Sequence, residues 1–300
     1  MTNDGLADKR IALSTGVELD VTVGGRGDPL IFLHGFPESR RTWRHQVANL
    51  VEDHFVVAPD QRGYAHSSKP PRVEDYSQEE LAADVIALAD ALGLETFTLA
   101  GHDFGGIVAW STASRYPDRV ARLVIANAPH PVVWQRGVVS DPEQRAASQY
   151  ITMFQDPSTA DRIAASGFDT FFDTRLMAQM DPTKVTPEDR AAAIDALSVP
   201  GAFLAMTRWY DAVGMVVPPI DAEAEVPTWA TESIAPVKMP TLVVWGMADQ
   251  NLKPSQLEGI TEIVSDLTLV ELPRTGHFSP WESPAEVTTA IRQFLRERPL

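Results

Sequence analysis

Cysteine is absent from the 300 residues, which excludes a disulfide framework, a thiolate nucleophile and any cysteine-held metal. Basic charge is scarce: 25 lysines and arginines stand against 41 aspartates and glutamates, a net charge of -16. A surface of that sign repels phosphate backbones and anionic lipid, so neither nucleic acid nor a membrane is expected as a partner, and a strongly anionic substrate is disfavoured as well. No apolar run approaches the roughly 18 residues of a membrane span, and the opening MTNDGLADKR is polar and acidic with no apolar block behind it. A cytoplasmic location is therefore expected. Internal repeats and low-complexity tracts are also missing. His45, His54 and His66 show no pairing at metal-ligand spacing, so no metal is expected. Gly24, Gly25 and Gly27 lie between two strand-like runs without a following helix. They read as a hairpin turn rather than a phosphate loop, and no cofactor is expected.

What is present suits a globular enzyme-sized chain, 44% hydrophobic and 22% charged. VELDVTVGG, PLIFLHG and HFVVAPD have strand character, with the helical run TWRHQVANLVE between the second and third. SQEELAADVIALADALG starts on an N-cap serine, Ser77, carries Glu80 at the capping-box position and stops at Gly93. TFTLAGHD, ARLVIANA, PTLVVWG and LTLVELP are short and apolar on both faces, as strands of a covered parallel sheet are. This alternation breaks between about residues 131 and 235, where helix formers such as PEQRAASQYITMFQ and PEDRAAAIDAL mix with prolines. It resumes at Thr241 and ends on the helical AEVTTAIRQFLRER. An α/β sheet interrupted by a helical insert explains the pattern better than two sequential domains, because neither flank alone completes a sheet.

Within this frame, GHDFGG at 101 to 106 joins a strand to a helix and has the form of a GxSxG nucleophile turn with aspartate in place of serine. By itself it could be a packing turn. Asp249 in MADQN follows a later strand, and His277 in RTGHF follows the next. Alone, the first is a turn residue and the second a local loop histidine. Because the carboxyl ends of parallel strands share one crevice, the ordered set Asp103, Asp249, His277 reads as a nucleophile with a histidine relay. A carboxylate is already a nucleophile at neutral pH and attacks saturated carbon, so the substrate need not be an ester. Histidine, oriented by the second aspartate, would then activate water against the resulting alkyl ester.

HGFPESRRTWRHQ, PDQRGYAHSSKP, GHDFGG, NAPHP, WGMAD and GHFSPWESP together resemble the α/β-hydrolase superfamily, and within it the epoxide hydrolases, over nearly the whole chain. The resemblance implies a mostly parallel central sheet flanked by helices, with a helical cap inserted after the sixth strand: a core of residues 1–130 and 236–300 and a cap of 131–235. It implies catalysis by Asp103, Asp249 and His277, and opening of an apolar epoxide by water to a vicinal diol. It further implies an oxyanion hole from the backbone N–H groups of Phe36 and Phe104, with Pro37 as the family's cis proline. Tyr150 in SQYITMFQDP and Tyr210 in TRWYDA match the cap tyrosines that protonate the epoxide oxygen, although Arg208 and Asp211 depart from the family's flanking residues. Phe36, Phe104, Trp134 and Phe154 are the expected substrate contacts.

Haloalkane and haloacetate dehalogenases share most of these stretches, and Phe104 stands where a halide-binding tryptophan is usual and where epoxide hydrolases also commonly carry tryptophan. A phenyl ring supplies no N–H for a halide, and no arginine directly follows Asp103, so the tyrosine pair favours epoxides. A binding protein without turnover is the third reading. His34 and His102 are expected to brace loops and His130 to mark the start of the insert, while Arg62 and Gly63 resemble a loop-setting pair.

Overall fold

The computed structural model describes residues 5–231 and 234–300. Eight strands, β1 (Leu6–Ala12), β2 (Glu18–Gly25), β3 (Pro29–Leu33), β4 (Phe55–Pro59), β5 (Phe97–His102), β6 (Val120–Ala126), β7 (Thr241–Gly246) and β8 (Leu267–Leu272), form one sheet in the order 1-2-4-3-5-6-7-8. β2 runs antiparallel to β1 and β4, and β3 through β8 are parallel. The family resemblance carries over to the fold: a mostly parallel sheet with helices on both faces.

The continuous apolar strands have a simple cause. Successive side chains leave a strand on opposite faces, and both faces here are covered. Ile31 and Leu33 of β3 enter one core while Leu30 and Phe32 enter the other; Val243 and Trp245 of β7 divide from Leu242 and Val244 in the same way. The first core is closed by α2 (Gln78–Ala91) and α3 (Phe104–Arg115), the second by α1 (Arg44–Leu50) and a C-terminal helix introduced below. Ser77 caps α2 through the Glu80 N–H as its spacing predicts. The Glu80 side chain does not return to Ser77 and instead reaches Arg62 at 3.5 Å, so only half of the capping box forms.

Between β6 and β7, among the described residues, an isolated bridge forms at Val237 and the regular elements are helices. They are α4 (Pro131–Ser140), α5 (Pro142–Ala147), α6 (Tyr150–Gln155), α7 (Thr159–Ser166), α8 (Phe168–Phe171), α9 (Pro187–Ser198), α10 (Ala202–Ala212) and α11 (Thr228–Thr231), with short 3-10 and π turns between them. Residues 232 and 233 of the cap range 131–235, and residues 1–4 at the start of the chain, lie outside the described residues. After β7 come α12 (Ile260–Ile263), α13 (Ser279–Glu282) and α14 (Pro284–Glu297), whose Val287, Ile291, Phe294 and Leu295 form a buried stripe against the sheet.

Three local readings need correction. The GGRGD segment is not a hairpin turn: β2 and β3 are not paired, since β4 lies between them, so this loop crosses from one strand to a non-neighbour. β1 escaped the sequence reading because most of LADKRIA is exposed and lacks an apolar face. β8 is not covered on both faces either; it is the terminal strand and only partly buried. No helix among the described residues is long and apolar enough to cross a membrane.

Candidate active site

The parallel strands all present their carboxyl ends to the same side, and the loops leaving β3, β5, β6, β7 and β8 deliver Phe36, Asp103, Asn127, Asp249 and His277 there. Asp103 sits between β5 and α3 with φ 51° and ψ -122°, a backbone state costing about 1–3 kcal/mol that persists only where packing enforces it. Packing does so here. A Cβ on Gly101 would lie 2.3 Å from the Gly105 carbonyl oxygen, and one on Gly105 would lie 2.4 Å from that of Leu33. Strand, turn and helix meet too closely for a side chain at 101 or 105.

His277 and Asp249 stand in line with Asp103. The Nε2 of His277 is 3.4 Å from Asp103 Oδ2, and its Nδ1 is 2.7 Å from Asp249 Oδ2. Asp249 is fully occupied: its Oδ1 accepts from the N–H groups of Asn251 and Leu252 at 2.8 and 2.9 Å, and its Oδ2 also accepts from Asn127 Nδ2 at 2.8 Å. Burial alone would drive His277 toward the neutral form, but Asp249 and Asp103 on either side raise its pKa well above the usual value. Burial would raise the Asp103 pKa, and here hydrogen bonding and charge from His277, the charge of His102 and the Phe36 N–H outweigh it and hold the carboxyl below its ordinary range. Both shifts favour the carboxylate of Asp103 and the imidazolium of His277.

The Phe36 N–H donates to Asp103 Oδ1 at 2.8 Å, and the Phe36–Pro37 peptide is cis. Phe104 opens α3, so its N–H is one of the first helical donors without an intrahelical acceptor. Two cavities adjoin the site, and Asp103, Tyr150 and Tyr210 line both. Phe104 and Trp134 line the first, which is mostly apolar; Phe36, Phe154 and His277 line the second. Thus each residue read as a site candidate lines one or both cavities except Asp249, which stands behind His277.

The two phenols approach each other with ring centroids 6.3 Å apart, and Phe154 stacks on Tyr210 at 5.1 Å. Neither hydroxyl has a hydrogen-bond partner among the described residues. Burial, and then for Tyr150 the charge of Asp103, raises the pKa of both; Tyr150 itself adds to the shift at Tyr210. Gln155 bridges their helices, its Nε2 donating to the Tyr210 and Met215 carbonyls at 3.1 and 3.0 Å. Trp209 donates to the Arg62 carbonyl at 3.1 Å and ties α10 to the sheet.

Sequence reading missed Asn127 and Glu38. Asn127, at φ 40°, binds both the Gly246 N–H and Asp249; the NAPHP stretch just after β6 was the only signal. Glu38 is 5% exposed and meets His102. His34 is a brace as expected: it accepts from the Gln61 N–H at 3.1 Å and faces the Gly35 carbonyl with Nδ1 at 3.0 Å, and burial lowers its pKa. His130 caps α4 and is held to a pKa of about 4 by burial. Arg62 pairs with Asp84 through two contacts of 2.7 Å. Among the described residues no cluster of three or more histidine and acidic side chains is disposed to hold a metal.

Residues 28–284 match the family described as alpha/beta hydrolase fold. The chain is 33% identical over 289 residues to the AB hydrolase superfamily protein YfhM of Bacillus subtilis (strain 168), covering 95% of this chain and 96% of that one. It is 30% identical over 329 residues to epoxide hydrolase A of Mycobacterium tuberculosis (strain ATCC 25618 / H37Rv), covering 97% and 98%. A solved structure from a work on novel epoxide hydrolases in metagenomes from hot environments superposes with a TM-score of 0.90 at 42% identity, over 96% of this chain and 98% of that one. With its sheet order, its aspartate-bearing elbow and these likenesses, the chain belongs to the α/β-hydrolase superfamily, alongside the epoxide hydrolases.

Proposed function

We propose that the protein is an epoxide hydrolase that opens an apolar epoxide to a vicinal diol through an ester on Asp103, with the insert of about residues 131–235 acting as a cap over the sheet. The observation that carries this reading is a carboxylate nucleophile facing, across shared cavities, two phenols without other partners. An epoxide oxygen leaves as a high-energy alkoxide unless it is protonated. Phenols whose pKa values are raised stay protonated at neutral pH and serve as donors to it.

The steps balance. Asp103 Oδ attacks one epoxide carbon, the carbon–oxygen bond breaks, and Tyr150 or Tyr210 gives a proton to the departing oxygen. The resting imidazolium proton of His277 makes good the lost phenol proton, which leaves His277 neutral. Water then gives His277 a proton and adds to the Asp103 carbonyl carbon. The oxyanion falls to the N–H groups of Phe36 and Phe104, each such donor being worth about 2.7–4 kcal/mol. Collapse expels the diol and restores carboxylate and imidazolium.

Carbon–halogen cleavage is the second reading, favoured by one feature: the Trp134 indole lines the apolar cavity. A single turnover on styrene oxide in heavy-oxygen water separates the two. The diol should carry an unlabelled oxygen from Asp103, His277→Gln should accumulate an adduct of substrate mass, and replacing both tyrosines by phenylalanine should lower epoxide opening by about 10²–10⁴-fold. Halide release from haloalkanes with no diol from any epoxide would overturn the proposal.

A further inference from the structure

Gln144 takes no part in the reaction just described, yet it joins two pieces of that machinery carried by different elements. It lies in α5, just ahead of the helix that Tyr150 opens, and is fully buried. Its amide is spent on the loop after β7. Nε2 donates to the Asn251 carbonyl at 2.8 Å and to Ser148 Oγ at 2.9 Å, and Oε1 accepts from the Lys253 N–H at 2.8 Å. Bracketed by the two backbone anchors are the N–H groups of Asn251 and Leu252, which both donate to Asp249 Oδ1. Two lesser ties follow the same path from insert to loop: Ser255 Oγ donates to Asp141 Oδ2 at 2.6 Å, and Asn251 Nδ2 donates to Gln179 Oε1.

We infer that Gln144 is a strut holding Tyr150 and Asp249 in one register, so that proton delivery to the epoxide oxygen and the histidine relay are placed together by a single side chain. It is a positioning residue, since it touches no reacting atom, and its part in catalysis rests on the epoxide reading above. The residue type follows from the partners. A backbone carbonyl and a nearby N–H call for a donor and an acceptor on one rigid plane, which a primary amide supplies; a glutamate carboxylate has no proton to give, and leucine has neither function. Burial sharpens the demand, because water cannot make up for a lost partner. Only the bend at Ser148 and Gln149 separates α5 from Tyr150, and it too is tied down. Ser148 Oγ takes an amide proton of Gln144, and Gln149 Nε2 donates to the Arg145 and Pro218 carbonyls at 3.1 and 2.9 Å. A shift of the loop after β7 is therefore carried to the phenol instead of being absorbed between them.

NMR of the wild-type protein should find the Asn251 and Leu252 N–H groups protected from hydrogen exchange, and the His277 ring proton that faces Asp249, assigned by its loss in H277Q, far downfield. In Q144L, exchange at both N–H groups should quicken by about tenfold or more, and the ring proton should move upfield or broaden. In single turnover on styrene oxide, formation and decay of the substrate-mass adduct should both slow by roughly 10- to 100-fold, with KM changed by less than about threefold. Q144E keeps the acceptor for Lys253 and loses the donor for Asn251; its losses should run in the same direction, and it carries the test should Q144L not fold. Unchanged exchange at Asn251 and Leu252, exchange that quickens evenly through the protein with the ring proton unmoved, or slowing of adduct formation or decay alone overturns the inference. Absence of any adduct or diol in the wild type would instead refute the epoxide reading, and the exchange rates and the ring proton would then decide the strut.

Discussion

At the scale of single residues, the relay makes a directional statement about pH. His277 holds its proton strongly because it lies between Asp249 and Asp103. In the proposed mechanism, esterification of Asp103 removes its charge and with it one of the two supports of the imidazolium, so the histidine pKa falls. Water attack needs the neutral ring; alkylation needs anionic Asp103, whose pKa lies below the ordinary range of about 3.9. Lowering the pH from about 8 to about 5.5 therefore slows ester hydrolysis while leaving ester formation intact. The fraction of protein carrying a substrate-mass adduct during steady turnover, read by intact mass after acid quench, should rise across that interval. A fall would mean that the nucleophile, not the base, titrates there.

Residue identity was readable in the sequence where a motif and a strand end coincide, as at Asp103, Asp249 and His277. It was not readable for Glu38 or Asn127, whose roles depend on partners 64 and 122 positions away. A lone acid after a proline and a lone asparagine after a strand carry no mark of such contacts; their meaning is created by folding.

At the scale of elements, the junction of β5 and α3 is governed by crowding. Gly105 lies within a helix, where alanine would ordinarily gain about 1 kcal/mol. Against that, a Cβ there would meet the Leu33 carbonyl at 2.4 and 2.5 Å and the His34 oxygen at 2.6 Å. These are backbone atoms of a buried strand end and cannot step aside, and overpacking of this kind costs about 1–3 kcal/mol or more. The clash exceeds the propensity gain. Gly105→Ala should lower stability to urea by up to about 2 kcal/mol net and reduce turnover further still, because β3 leads directly into the oxyanion loop. An unchanged midpoint with full activity would show that the elbow has slack these contacts deny. The same reasoning explains which elements were legible. Strands buried on both faces announce themselves by unbroken apolar runs, whereas β1, joined to β2 by its backbone and by exposed polar side chains such as Arg10 with Glu18, has no apolar pattern to betray it. The GGRGD turn failed for a related reason: local composition specifies that a chain bends, not which strand it rejoins.

At the scale of the whole molecule, order along the chain predicted the insert between β6 and β7, while the shape of the space beneath it emerged only from packing. The aromatic floor and roof, Phe36 and Phe104 against Tyr210 at 5.0 and 4.8 Å, divide that space into two cavities that meet at Asp103 and the phenols. One of them is walled by Trp134, Ile151, Val213 and Met215; the other adds Arg175, Gln179 and Asn251 to its apolar lining. An epoxide with a substituent on each carbon can place one in each cavity while its ring stays between nucleophile and acid. A terminal epoxide fills only one. Since a mismatched group in an apolar pocket alters discrimination by about 10- to 200-fold, trans-stilbene oxide should be turned over with a kcat/KM within about tenfold of styrene oxide or above it. Trp134→Ala, which enlarges one side alone, should shift which carbon Asp103 attacks in an unsymmetrical disubstituted epoxide, as read from the labelled-oxygen position in the diol. Rejection of trans-stilbene oxide by more than about 200-fold, with styrene oxide accepted, would mean that the two cavities do not serve one substrate. The second would then be an entry path rather than a binding arm.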